Sequence, residues 1–77
     1  MKLEIITPEK QLFNGEVSSV RLPGKNGEFE ILKNHAPIIS TLNKGEIRVI
    51  SNDSTKKFEI NGGVIEMQNN KIIVLAE

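Results

Sequence analysis

One stretch of the chain, residues 62–75 with the sequence GGVIEMQNNKIIVL, carries the pattern that decides the fold class. Two short runs rich in apolar residues, Val64–Met67 and Lys71–Leu75, are separated by Asn69 and Asn70. Asn and Gly readily adopt the backbone conformations that tight turns need, so short apolar runs with this punctuation are typical of β-strands joined by turns.

The same pattern recurs along the rest of the chain. Further short runs lie at residues 2–7, 16–22, 28–31, 38–42, 46–50 and 57–60. Within the run Glu16–Leu22 the apolar residues change parity, which predicts a β-bulge at Ser18-Ser19. No segment shows helical periodicity. The spacing therefore predicts one all-β domain over residues 1–77, a β-sandwich or flattened barrel of two mostly antiparallel sheets with about eight to ten short strands.

Composition narrows the classes of function. Ten basic and ten acidic residues give a formal net charge of zero, and each half of the chain is itself balanced. A neutral chain has little long-range attraction for nucleic acid or anionic lipid. There is no cysteine, so a disulfide or a zinc–thiolate site is excluded. No apolar run approaches the roughly 20 residues of a membrane helix, and the N-terminus lacks the pattern of a signal peptide.

The residues offer little material for catalysis. His35 is the only histidine, and the chain has no Tyr, Trp or Cys. No nucleophile elbow, phosphate-binding loop or dinucleotide fingerprint is present. We therefore expect no catalytic residue, no metal site and no cofactor. The alternative function is a small β-barrel that binds single-stranded nucleic acid, but its stacking aromatics would have to come from Phe13, Phe29 and Phe58 alone.

A feature of several strands points to protein binding instead. Successive side chains of a strand point to opposite faces, so two adjacent apolar residues cannot both face one core. Such pairs are Ile5 with Ile6, Ile38 with Ile39, Val49 with Ile50, Val64 with Ile65, and the run Ile72–Leu75. A contiguous apolar patch on an outer face usually marks a partner surface, for which Ile6, Ile39 and Ile50 are candidates. The alternative is that the extra residues lie at strand ends or under loops.

Six strings of the sequence form a recognisable series. They are Thr7–Lys10 with Leu12–Val17, Leu22–Gly24 with Gly27–Phe29, Asn34–Ile39, Gly45–Val49, Gly62–Met67, and Asn70-Lys71 with Val74–Glu77. In this order and at this spacing, the strings resemble the epsilon subunit of bacterial F-type ATP synthase. The resemblance covers essentially the whole chain and corresponds to the N-terminal β-sandwich domain of that family.

The resemblance implies a β-sandwich without catalytic residues or cofactor, in the central stalk of the rotor. It implies two protein partners, the gamma subunit and the c-ring of the membrane sector. The domain would join these partners and help couple ion flow to ATP synthesis. It would lie at the cytoplasmic face of the inner (plasma) membrane as a peripheral part of the complex, without inserting into the membrane.

The resemblance also implies roles for particular residues. Contact with the c-ring is expected of Glu28 and Phe29. Contact with gamma or the stalk is expected of Thr7, His35, Ala36, Pro37, Ile38 and Ile39. Without the resemblance, Glu28 would be interpreted as an exposed turn carboxylate, and His35 as a loop imidazole bonded to nearby backbone.

The sequence departs from the family pattern at two points. Glu30 stands where the family usually has Gly, which puts the local backbone geometry in question. The chain ends at Glu77, before the C-terminal helical hairpin with which many bacterial members continue. We therefore expect the N-terminal domain alone, and inhibition or nucleotide sensing by that hairpin is not transferred.

Overall fold

Nine β-strands and no helix make up the computed structural model, which describes residues 1–77. The strands are β1 (Lys2–Ile6), β2 (Gln11–Glu16), β3 (Ser19–Gly24), β4 (Gly27–Leu32), β5 (Ile38–Leu42), β6 (Gly45–Ser51), β7 (Ser54–Ile60), β8 (Gly63–Gln68) and β9 (Lys71–Ala76). The fold thus contains no helix long and apolar enough to cross a membrane.

The strands form two halves that face each other. One half has the order β2-β1-β9-β8-β5, and the other consists of β3, β6 and β7 with β4 on the free side of β3. A single backbone pairing, between Gly24 of β3 and Leu42 of β5, joins the halves into one sheet. All pairings are antiparallel except that of β1 with β9, which is parallel. The predicted all-β sandwich or flattened barrel is confirmed, as one mixed sheet that nearly closes.

The core lies between the two halves and follows from the alternation within each strand. In β8, Ile65 and Met67 are buried while Val64, Glu66 and Gln68 are exposed. In β9, Ile72, Val74 and Ala76 are buried by the same alternation. Sixteen buried apolar residues form one cluster, against which all three phenylalanines pack while remaining half-buried. The inward parity of each strand is therefore used for folding, and the outward parity is free for other tasks.

The predicted bulge at Ser18-Ser19 is wrong. The chain leaves β2 at Glu16 and enters β3 at Ser19, and the two intervening residues carry it from one half to the other. The amide of Val17 donates to the carbonyl of Met1, whereas the amide of Ser18 donates to that of Ile50. The change of parity therefore marks a change of half. The polar stretch Gln11–Asn14 belongs to strand β2, which the sequence pattern did not predict. The pattern is weak there because β2 is an edge strand with few buried side chains.

The hairpin of β8 and β9 depends on two backbone features. Asn69 and Asn70 both have positive φ, 53° and 62°, as the tightest two-residue hairpin turns require. At the other end, Gly63 has φ 154°, and a Cβ there would collide with the carbonyl oxygen of Leu75. These features fix the register in which β8 and β9 present their outward side chains.

Candidate functional site: an outer apolar face

The outward side of β1, β9, β8 and β5 carries a group of apolar side chains, which we call the outer apolar face. Its members are Ile6, Leu75, Ile73, Val64 and Ile39, with Thr41 at the margin. They come from strands that are distant in sequence, so only the strand order brings them together. The largest apolar patch on a protein surface is often a functional one, so this face is the candidate site for binding another protein.

One row of the face crosses four neighbouring strands. Ile6 pairs with Leu75, Leu75 with Val64, and Val64 with Thr41. The exposed fraction is 55% for Leu75 and 42% for Val64, while Ile6 is half-buried. Since paired residues on one face have Cβ atoms about 4.5–5.5 Å apart, the row forms a continuous apolar strip.

The next row mixes apolar and acidic side chains. Glu4 pairs with Ile73, Ile73 with Glu66, and Glu66 with Ile39. Ile39 is 75% exposed, more than any other large apolar residue. The Nζ atom of Lys71 lies 3.6 Å from a carboxylate oxygen of Glu4, so one of the two acids in the row has a cationic partner.

A shallow depression borders the strip. It has a volume of about 370 Å³, and its lining includes Ile6, Thr7, Pro8, Val64 and Leu75. The turn that follows Ile6 is held firmly, because the Thr7 hydroxyl and amide both donate to the carbonyl of Lys10, at 3.0 and 2.8 Å. The depression is therefore bounded by ordered backbone and offers space for an apolar side chain.

The outward side of the other half is charged. Arg21 of β3 pairs with Glu30 of β4 and with Arg48 of β6, and Arg48 pairs with Lys57 of β7. Ion pairs join Arg21 to Glu28 and to Glu30, both at 3.8 Å, and join Arg48 to Glu46 at 3.5 Å. We call this side the charged outer face.

The three isoleucines singled out from the sequence do not lie together. Ile6 and Ile39 belong to the outer apolar face, as predicted for a patch. Ile50 lies on the charged outer face, where it pairs with Ser19, which also pairs with Leu32. The grouping of Ile50 with the other two is therefore wrong. The residues that complete the face are Leu75, Val64 and Ile73, which the sequence marks only as members of doubled apolar positions.

The residues expected near gamma lie around the outer apolar face. Thr7 borders one end of it and Ile39 lies on it, but Ile38 points inward and packs against the core. His35, Ala36 and Pro37 are exposed in the loop before β5. This loop lies at the opposite end of the face from Thr7, because the Asn34 amide donates to the side chain of Asn70 in the β8–β9 turn.

The imidazole of His35 has a local backbone partner. Its Nδ1 lies 2.7 Å from the carbonyl oxygen of Ala36. This geometry agrees with a loop imidazole bonded to nearby backbone, and contact of His35 with a partner stays a prediction.

The residues expected near the c-ring point in opposite directions. Glu28 lies on the charged outer face with its side chain 58% exposed, whereas Phe29 is half-buried against the core. Glu30 continues β4 without positive φ, so the acid that replaces the usual Gly fits ordinary strand geometry. The contacts of Glu28 and Phe29 with a ring stay predictions.

Other kinds of site find little support in the geometry. No group of three or more His, Asp or Glu residues is placed to hold a metal ion. The rings of Phe13 and Phe58 lie edge to face, with centroids 6.0 Å apart, and Phe29 packs against the core. A platform for stacked bases needs aromatic faces open to solvent beside a basic groove. The arrangement of the phenylalanines therefore does not favour nucleic-acid binding.

The fold and the outer apolar face define the class of this chain, a small all-β domain with a candidate protein-binding face. Comparison with known proteins gives the family. The chain belongs to the ATP synthase delta/epsilon chain β-sandwich domain family, whose model matches residues 1–77. The resemblance to the epsilon subunit is thereby confirmed, and with it the assignment to a non-catalytic subunit.

The relatives are ATP synthase epsilon chains from several bacteria. That of Chlorobium limicola is 47% identical over 77 residues, which cover 99% of this chain and 88% of the relative. That of Caulobacter vibrioides is 39% identical, with 100% of this chain and 90% of the relative covered. The chain spans 61% of the epsilon chain of Leptospira interrogans serovar Copenhageni, to which it is also 39% identical.

Solved structures show the same fold at low sequence identity. A chain of the Tetrahymena thermophila mitochondrial ATP synthase central stalk and c-ring superposes with a TM-score of 0.84 at 15% identity, covering 97% of this chain and 61% of that one. A chain of the Euglena gracilis mitochondrial ATP synthase gives 0.89 at 17% identity, covering 96% and 48%. At this identity the likeness establishes the architecture alone.

Proposed function

We propose that this domain is a coupling element of the ATP synthase central stalk, which joins the gamma subunit to the membrane c-ring. The observation that carries the proposal is the apolar strip of Ile6, Leu75 and Val64 across three adjacent strands. A folded domain keeps such residues outside its core at a cost in solubility. Covering them with a partner recovers the free energy of burying their apolar surface.

Two separate surfaces suit a domain that holds two partners together. The outer apolar face fits a stable contact with gamma, because burial of apolar side chains provides the binding energy there. Glu28 lies on the charged outer face, close to the β3–β4 turn at Lys25-Asn26, and fits polar loops of the c-ring. As an adapter between rotor parts, the domain would lie peripherally at the cytoplasmic face of the membrane and help couple ion flow to ATP synthesis.

The size of the face indicates how far the gamma contact must extend. Four strands about 4.8 Å apart and about five residues long cover a flat area of roughly 300 Å². A stable interface needs about 800 Å² from each partner. The loops at both ends of the face, which contain Thr7-Pro8 and His35–Pro37, are the adjoining surfaces that would enlarge the contact.

The test compares two leucines of equal exposure on opposite faces. Leu75 is 55% exposed on the outer apolar face, and Leu32 is 56% exposed on the charged outer face. Leu75→Asp should weaken binding to gamma by roughly 30-fold or more, since it places a charge in the centre of the contact. Leu32→Asp should change it by less than about threefold.

Binding is measured by titrating gamma into each variant, after circular dichroism has shown that both variants are folded. Equal affinities for the two variants would contradict the proposal that gamma binds the outer apolar face.

A further inference from the structure

Glu66 is an acid with apolar partners on both neighbouring strands, at the centre of the outer apolar face. It pairs with Ile39 on one side and with Ile73 on the other, and Val64 precedes it on the same side of β8. The structure contains five ion pairs, and Glu66 takes part in none of them. Its side chain also makes no hydrogen bond to the protein.

Glu4, the other acid of the same row, is in a different situation. Its side chain is only 21% exposed, and the Nζ atom of Lys71 lies 3.6 Å from its carboxylate. Lys71 of β9 pairs with Lys2 of β1, and Glu4 lies two residues further along β1 on the same outward side. The side chain of Lys71 therefore reaches Glu4 across the β1–β9 pairing. The domain itself thus neutralises Glu4 and leaves Glu66 to water.

Covering this face with a partner changes the solvation of the Glu66 carboxylate. A partner that buries Ile39, Ile73 and Val64 also removes water from the carboxylate between them. A desolvated carboxylate without a partner costs several kcal/mol, which would offset much of the gain from the apolar contacts. The contact is therefore favourable only if the partner brings a positive charge or several donors to this point.

We propose that Glu66 binds a Lys or Arg side chain of the protein that covers the outer apolar face, and so sets the register of that contact. The partner surface then consists of apolar side chains facing Leu75 and Val64, with one basic residue about 7 Å away along β8. The inference rests on the proposed function for the identity of the partner, gamma, and adds the chemistry by which that partner is recognised.

The surroundings of Glu66 suit a guanidinium group better than an ammonium group. A depression of about 360 Å³ beside it is lined by Glu66, Gln68, Asn69, Lys71 and Ile73. The side-chain amides of Gln68 and Asn69 offer further acceptors for the several N–H groups of an Arg, which binds carboxylates through two parallel bonds. The positive charge of Lys71 is already directed to Glu4.

The experiment measures binding of the gamma subunit to charge variants of the full chain. Glu66→Lys should weaken binding by roughly 30-fold or more, and Glu66→Gln by about tenfold, because each leaves the partner cation unpaired. The matched control is Asp53→Lys, which makes the same change in net charge in the exposed β6–β7 turn and should alter binding by less than about threefold. One Lys→Glu or Arg→Glu replacement in gamma should restore binding to Glu66→Lys.

The outcomes separate the two proposals. A loss with both Glu66 variants but not with the control, together with rescue of Glu66→Lys by one charge reversal in gamma, supports the assignment. If Leu75→Asp abolishes binding while Glu66→Lys stays within threefold of the parent, the role of Glu66 is wrong and the proposed function stands. If neither variant affects binding, the proposed function fails, and the role of Glu66 fails with it. Urea unfolding of Glu66→Lys, an exposed site, should match the parent and so exclude a folding defect.

Discussion

The two outer surfaces of this domain are built by the same alternation of side chains along the strands, yet one is mainly apolar and the other mainly charged. The outer apolar face presents Ile6, Leu75 and Val64 in one row. The charged outer face presents Glu30, Arg21, Arg48 and Lys57 in the corresponding position. Both surfaces are equally free of folding constraints, because each uses only the parity that the core does not need.

The difference between the two surfaces lies in how well water solvates their exposed side chains. On the charged outer face the arginines find acidic neighbours within the domain, and long polar side chains remain solvated. On the outer apolar face Ile39, Leu75 and Val64 stay exposed, because no part of the domain covers them. The outer apolar face thus leaves three large apolar side chains exposed to water, whereas the charged outer face leaves one, Leu32.

The largest effect is expected from a comparison of a buried residue of β8 with an exposed residue of the same strand. Ile65 is fully buried and Val64 is 42% exposed, although they are adjacent in sequence. Ile65→Ala should lower the free energy of unfolding by about 3 kcal/mol, since it leaves a cavity in the core. Val64→Ala should lower it by less than about 1 kcal/mol. Urea unfolding of both variants checks this, and a cost of about 3 kcal/mol for Val64→Ala as well would show that the outer apolar face also stabilises the fold.

The second prediction tests which face two isoleucines belong to. Ile39→Ser should weaken gamma binding about tenfold, because an exposed side chain that the partner covers loses its apolar contact. Ile50→Ser, on the charged outer face, should leave gamma affinity within about threefold. Isothermal titration of both variants gives the affinities. A larger loss for Ile50→Ser than for Ile39→Ser would assign gamma to the opposite face.

The third prediction concerns the proposed contact with the c-ring. Glu28→Lys should weaken attachment to membranes that carry the ring by about threefold at low salt, because it reverses one exposed charge pair. The effect should diminish as the salt concentration rises and screening increases. Co-sedimentation at two salt concentrations measures it, with Glu59→Lys as the control of equal charge. A loss that is independent of salt would argue against an electrostatic role of Glu28.

The smallest effect is expected for the ion pairs of the charged outer face. Arg21→Ala removes the pairs with Glu28 and Glu30, both at 3.8 Å and partly exposed. The free energy of unfolding should fall by less than about 1 kcal/mol, since exposed pairs of this length gain little over water. Urea unfolding with and without added salt provides the measurement. A cost of several kcal/mol would mean that the charged outer face helps to hold the fold.

Much of the fold was predictable from local pattern alone. The alternation in Gly63–Gln68 and the turn at Asn69-Asn70 indicated β8 and its hairpin with β9, because turn chemistry and side-chain parity act over a few residues. The strand β2 was missed, since an edge strand buries little and its sequence, QLFNGE, shows little apolar alternation. The step from β2 to β3 resembled a bulge because both a bulge and a change of half shift parity by one.

The candidate site was predictable only in part. Doubled apolar positions indicated that some isoleucines must face outward, which Ile6 and Ile39 do. Local pattern carries no information on which strands are neighbours, so it placed Ile50 with residues on the other side of the domain. The pairing of β1 with β9 joins residues about seventy positions apart, and that pairing creates the row on which the site depends.

The parallel pairing of β1 with β9 has a consequence for the timing of assembly. Strand β1 leaves the ribosome well before β9, so Ile6 has only Gln11 of β2 as a strand neighbour until Leu75 has been synthesised. A nascent chain therefore cannot present the complete strip of Ile6, Leu75 and Val64 before β9 has been synthesised.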